Sequence, residues 1–139
     1  MVLGFSQRQD FSPIVGWELY QVTIDKYHVM FFFNNGRDLL NVANKFGYLS
    51  SDGRTSVVFE IFGERKLLAV DDCLRKRIAS CTVVSRDELC LIFENGARLS
   101  VFDDPKRCSW WFLRYEDGGP EPAFVLSDLD DDLIEEPAK

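Results

Sequence analysis

The chain has one histidine, four cysteines and no apolar run near the roughly 20 residues that cross a membrane as a helix. Each scarcity excludes something. Cys73, Cys81, Cys90 and Cys108 stand 8, 9 and 18 apart, with none of the Cys-x-x-Cys or His–Cys spacing of a structural zinc site. Clustered basic residues are limited to Arg75-Lys76-Arg77, which is too short to neutralise a phosphate backbone, so direct binding of nucleic acid is not expected. Residues 1–5 lack the basic head and long apolar run of a secretory signal, and a cytoplasmic location is expected. His28 sits near an expected hairpin turn, and no Ser or Cys motif supplies a nucleophile for it. The neighbours Asp71-Asp72 and Asp103-Asp104 point in different directions, a poor arrangement for an acid/base pair. Asp103-Asp104-Pro105 reads instead as a strand end and turn, and Gly118-Gly119-Pro120 as a loop rather than a phosphate cradle. No catalytic, metal or cofactor residue is therefore assigned, and a non-enzyme is expected.

What is present is enough apolar material for a core. Apolar residues make up 46% of the 139 and aromatics 14%, with 12 Phe, which is the composition of a folded domain. The net charge of -7 is unevenly placed. Residues 1–113 balance 14 basic against 14 acidic side chains, whereas residues 114–139 hold two against nine. The division expected is a single β-rich domain over 1–113 and an acidic C-terminal segment over 114–139. That segment is either partly disordered or a short amphipathic helix with Leu126, Leu129, Leu133 and Ile134 on one stripe.

The chain also resembles itself. At an offset of 60, Val29–Gly36 lies over Leu89–Gly96, sharing Phe33/Phe93, Asn35/Asn95 and Gly36/Gly96, and Leu39 falls on Leu99. The repeated units run over 14–42 and 74–102. Asn-Gly favours a two-residue hairpin turn, since both central positions take positive φ. Each half then reads as an antiparallel three-strand meander, over roughly 17–24, 27–33 and 38–43, and over 78–84, 88–94 and 97–102. Residues 56–62 and 66–70 suggest two further strands. The fold expected is mostly β, with α+β as the variant: two duplicated meanders forming a rolled or two-layer sheet. One or two short helices are added, with 39–46 (competing with strand) and 71–79 as candidates.

Two-residue loops at Ser85-Arg86 and Asn95-Gly96 would place Cys81 opposite Cys90 and Ile92 opposite Leu99. The buried face of the second half would then be Ala79, Cys81, Val83, Cys90, Ile92, Leu99 and Val101. In the first half, Tyr20, Val22, Ile24, Phe31, Phe33, Leu40 and Val42 gather on the opposite side. Either one loop differs in length or the halves bury opposite faces. Cys81 and Cys90 are expected as core thiols rather than a disulfide.

The densest aromatic cluster is Cys108-Ser109-Trp110-Trp111-Phe112. On a strand, one tryptophan faces the core and the other lies outside or at an edge; burial of both is the competing reading. Residues 93–101, a short Asp/Pro loop and Ser109-Trp110 together resemble a pattern in small uncharacterised bacterial domains, some of them immunity-like proteins encoded beside polymorphic toxins. The resemblance covers residues 66–113. In that family the loop ends in an aromatic, an acid, a small residue and Trp; here Arg107 and Cys108 stand in the first two places. The resemblance implies a non-catalytic protein-binding module that neutralises a cognate toxin, a basic nuclease being one such partner. Asp128, Asp130, Asp131, Asp132, Glu135 and Glu136 would steer that partner, and Trp110 or Trp111 would anchor it. Two alternatives stand beside this reading. One is a small-ligand or enzymatic pocket lined by Trp17, Tyr20, Phe31 and Phe33; the other is a homodimer formed by paired sheet edges.

Overall fold

The structure, a computed structural model, describes residues 4–5, 10–24, 28–43, 45–54, 56–59, 72–104, 106, 109–115 and 122–127. Ten strands account for most of them: β1 Leu19–Ile24, β2 Val29–Phe33, β3 Asp38–Val42, β4 Phe46–Leu49, β5 Ser56–Phe59, β6 Ile78–Ser85, β7 Glu88–Phe93, β8 Arg98–Phe102, β9 Trp110–Tyr115 and β10 Pro122–Ser127. They form two antiparallel five-stranded sheets, ordered β1-β2-β3-β9-β10 and β5-β4-β8-β7-β6. The mostly β, duplicated architecture is as expected from sequence. The helical element is smaller than expected. Residues 39–42 of one helix candidate are strand, and in the other only a 3-10 turn at 72–73 precedes β6. Residues 60–70, including the expected strand at 66–70, lie outside the described part.

The topology explains how one unit builds both layers. Each meander supplies three neighbouring strands to its own sheet. After β3 the chain crosses over and β4 pairs with β8; after β8 it crosses back and β9 pairs with β3. The two halves thus exchange their fourth strands. The sheets are also tied at one corner, where Glu18 bridges Arg77 and Ile78 N donates to Trp17 O at 2.9 Å. The same irregularity recurs in both hairpins: β1 shifts register between Leu19 and Gln21, and β6 between Ile78 and Ser80. A one-residue bulge is a specific device for bending a strand, and its presence at matching positions marks the halves as the same structural unit.

The turns settle the question of phase. Neither Asn-Gly forms a two-residue loop. Phe33 pairs with Asp38, leaving a four-residue loop in which Asn34, Asn35 and Gly36 have φ of 55, 59 and 92. In the second half Phe93 N donates to Ala97 O and Gly96 N to Phe93 O, which closes a three-residue loop with Gly96 at φ 91. A turn followed by a left-handed glycine is the common three-residue hairpin. The difference of one residue shifts the correspondence: Leu40, not Leu39, matches Leu99, and Val42 matches Val101. Leu91 therefore lies opposite Leu99 and Ile92 opposite Arg98. The expected pairing of Ile92 with Leu99 is corrected, and the two halves bury the same face. For the same reason Cys81 pairs with Leu91 and Thr82 with Cys90. The two thiols project to opposite sides of the sheet and both are free.

A single apolar cluster fills the space between the sheets. The first sheet contributes Phe31, Phe33, Leu40, Val42, Trp110 and Phe112; the second contributes Phe46, Tyr48, Leu89, Leu91, Phe93, Leu99 and Val101, all buried. Phe31 meets Phe46 edge-on across the gap, with ring centroids 5.2 Å apart. Phe5 stacks on Trp110 at 4.4 Å, and Phe11 packs beside both. Trp110 is fully enclosed, and its indole N–H donates to Asp103 Oδ1 at 3.0 Å, satisfying the one polar atom of the ring. The boundary expected at residue 113 falls inside β9. Beyond it, β10 pairs with β9, placing Leu126 in a strand opposite Phe112 rather than in a helix. Residues 128–139, including Leu129, Leu133, Ile134 and all six proposed steering carboxylates, lie outside the described part.

Candidate protein-binding face

A strand between two layers shows alternating character when one of its faces meets solvent. β2, Val-Met-Phe-Phe-Phe, and the start of β9, Trp-Trp-Phe-Leu, do not alternate. Their inward residues are the core. Their outward residues line up across the first sheet in two rows. Gln21, Phe32, Leu39 and Leu113 form one row; Thr23, Met30, Asn41 and Trp111 form the other. Val125 and Ser127 of β10 hold the register positions that continue them. No charged residue occurs in either row. Met30, Phe32, Trp111 and Leu113 are half-buried and Leu39 is buried. His28 stands at its border, its ring 6.5 Å from that of Trp111.

The matching positions of the second sheet are a direct control. There the rows read Ser80, Ile92, Arg98, Leu49 and Thr82, Cys90, Ser100, Gly47. Gly47 occupies the place of Trp111, and the ring of Phe102 lies over it, 3.4 Å from where a Cβ would be. Lys45 in turn covers that ring with its ammonium 5.3 Å from the centroid. The second face mixes Ile92 and Leu49 with Arg98 and small or polar residues, and its aromatic ring is capped; the first carries no charge and two aromatic rings.

At the centre of the apolar face Asn41 is 2% exposed, and its Nδ2 has no hydrogen-bond partner among the described residues. An amide donor left in that state costs about 1–3 kcal/mol. Its counterpart Ser100 is half-buried, and its hydroxyl is not among the enclosed polar atoms without a partner.

The sequence-stated candidates divide accordingly. Trp110 is core and cannot anchor a partner from inside the sheets; Trp111 lies on the outer face, as strand alternation expects of one of the pair. Met30, Phe32, Leu39 and Leu113 escaped the sequence reading because apolar strand residues were credited to the core. Their signal was the unbroken apolar run of β2 against the alternating Arg-Leu-Ser-Val-Phe of β8. Of the residues named for the alternative pocket, Trp17, Phe31 and Phe33 are buried, with Trp17 and Phe33 centroids 5.5 Å apart, and Tyr20 is exposed. A surface groove of about 420 Å³ runs elsewhere, along residues 79–83 of β6 beside Phe11 and Val15. It has no charged residue in its lining.

Asp103 and Asp104 shape the β8–β9 loop. Asp104 N donates to Ser109 Oγ at 2.9 Å and Asp104 Oδ1 accepts from Lys106 N at 3.0 Å. Asp72 likewise joins two turns, accepting from Ser51 N and Oγ at 2.9 Å while its carbonyl accepts from Asn95 Nδ2. Burial, followed by the neighbouring Cys90, pushes the Cys81 thiol up to about 12, far from a reactive thiolate. Among the described residues no three His, Cys, Asp or Glu side chains converge to hold a metal, and no helix is long and apolar enough to cross a membrane.

No family model matches the chain, and neither does any curated protein or solved structure.

Proposed function

We propose that the protein is a non-catalytic binding module whose docking surface is the outer face of the first sheet, around Trp111, Phe32, Met30 and Leu113. The observation that carries this reading is the divergence of the two outer faces while the inner faces stay alike. Stability accounts for a shared core; it does not account for an aromatic surface on one copy of a duplicated sheet alone. Contiguous apolar surface rimmed by polar residues is a mark of protein interaction sites, and half-buried aromatics are the side chains that dominate such interfaces.

In its more specific form, the module neutralises a bacterial toxin made by the same cell, acting in the cytoplasm. The motif resemblance around Ser109-Trp110, the acidic balance and the lack of an evident catalytic constellation support that form. The test is co-purification of the tagged protein with the toxic end of a large protein encoded beside it, repeated with Phe32→Ser/Trp111→Ser. A stable complex lost in the double variant is expected. Absence of any complex with that toxic end overturns the toxin reading. A complex that the double variant retains overturns the assignment of the face.

A further inference from the structure

We infer that the open edge of β6 is a second binding site, separate from the outer face of the first sheet, and that it takes an extended, uncharged segment of a partner protein as an added strand. β6 stands at the edge of its sheet, beyond β7. Edge strands are ordinarily kept from pairing by shortness, charge, proline or a covering element. β5 has four residues, and β10 opens with Pro122. β6, Ile-Ala-Ser-Cys-Thr-Val-Val-Ser, has eight, the most of any described strand, and holds no charge, proline or glycine.

The ladder fixes which of its backbone groups face outward. Phe93 N donates to Ala97 O, so Phe93, Leu91 and Leu89 turn their backbone groups towards β8. Ile92 and Cys90, between them, turn theirs towards β6, where they stand opposite Ser80 and Thr82. Cys81 and Val83 therefore point N–H and C=O away from the sheet, and no described residue pairs with them. Two residues spaced by two, each offering a donor and an acceptor, are what an incoming strand engages. The side chains of Cys81 and Val83 pack against the core and, like those of Val22 and Ile24 on β1, are only partly buried. The groove of about 420 Å³ lies along this edge and is lined as well by Phe11 and Val15, the latter 45% exposed. Apolar side chains at every second position of an added strand would complete that cover. The lining has no charge to pair with an ionised one.

The flanking contacts favour a single extended segment over a second copy of β6. At the start of the strand the outward groups of Ile78 are taken, its N–H by Trp17 O at 2.9 Å and its C=O by Gly16 N at 2.8 Å. At the far end Phe5 N donates to Arg86 O at 2.8 Å. A second copy would bring the same flanking residues against these, whereas a segment of about five extended residues fits between them.

The test uses the full-length protein and the labelled peptide acetyl-Lys-Val-Thr-Val-Thr-Val-Lys-amide, with binding read by fluorescence anisotropy and amide exchange by NMR. The amides of Cys81 and Val83 should exchange quickly in the free protein and become protected with peptide. Methylating the valine nitrogens of the peptide, or replacing its valines with aspartate, should weaken binding about tenfold or more. Val83→Pro should fold, because proline is tolerated where an edge N–H faces outward, and should lose the peptide to a similar degree. Phe32→Ser/Trp111→Ser should bind it as the parent does, which separates this site from the outer face of the first sheet.

Slow exchange of both amides in the free protein would mean that the chain covers its own edge, and a dimer mass that halves in Val83→Pro would place a second copy there; either overturns the inference. So does failure of the peptide to protect the two amides, equal binding of the methylated or aspartate peptide, or loss of binding in a Phe32→Ser/Trp111→Ser protein that melts like its parent. Should Val83→Pro fail to fold, Val15→Glu, at an exposed position, puts a charge in the groove and decides the matter: weakened binding upholds the site, and unchanged binding overturns it.

Discussion

Inward from the two sheets, matching positions carry matching chemistry: Phe31 with Leu91, Phe33 with Phe93, Leu40 with Leu99, Val42 with Val101, Phe112 with Tyr48. Outward they do not, for Met30 stands where the other sheet has Cys90, Leu39 where it has Arg98, and Trp111 where it has Gly47. Both copies must close the same core, which holds their inner residues alike. The proposed docking role accounts for the half-buried aromatic side chains of the outer face.

The largest effects expected come from the shared side of the comparison. Trp110→Ala and Phe46→Ala, at matching inner positions, should each cost about 3–5 kcal/mol in urea unfolding. A small loss at either would mean that the two inner faces are not equivalent. On the outer faces the copies should part. Phe32→Ser/Trp111→Ser should remove most of the fluorescence of a bound apolar dye while the protein stays folded, whereas Ile92→Ser on the second sheet should leave it unchanged. Dye binding that responds equally to both would erase the distinction.

A smaller contrast concerns the two polar residues at the centres of the faces. Asn41→Leu should stabilise the protein by about 1 kcal/mol, because it removes an enclosed donor with no acceptor among the described residues. Ser100→Val should give no such gain, since the hydroxyl it removes is half-buried and not an enclosed group without a partner. If Asn41→Leu destabilises instead, the amide has a structural role and no vacancy for a partner.

The smallest effect vanishes at neutral pH. Burial raises the Cys81 thiol from its usual value near 9 to about 12, so the folded state favours the neutral form. Stability should be intact below pH 9 and fall as the pH rises from there through about 12, because the unfolded chain releases that proton first. Cys81→Val should flatten this alkaline decline, and an unaltered pH profile would show that the thiol is not sheltered.

Much of this architecture is legible in the residues themselves. Both meanders could be placed from alternation and their Asn-Gly turns, because turn chemistry restricts which residues fit. Phase was another matter: one extra residue in the Asn34–Arg37 loop exchanges the two faces of a strand, and Asn-Gly is compatible with either loop length. The duplication was visible, yet the exchange of β4 and β9 between sheets was not, since no local pattern encodes which distant edge a strand joins. Alternation puts Trp110 and Trp111 on opposite sides of a strand, but it does not say which of the two lies outside or whether both are covered. Nor could Met30, Phe32 and Leu113 be set outside, because hydrophobicity along a strand does not say which of its two sides is already covered.

The most direct check on the central claim is oxidative footprinting of the full-length protein with and without the toxic end of the large protein encoded beside it. Protection confined to Met30, Phe32, Trp111 and Leu113 is the expected result. Protection centred instead on Ile92, Cys90 and Phe102, or absent from both sheets in the complex, would contradict it.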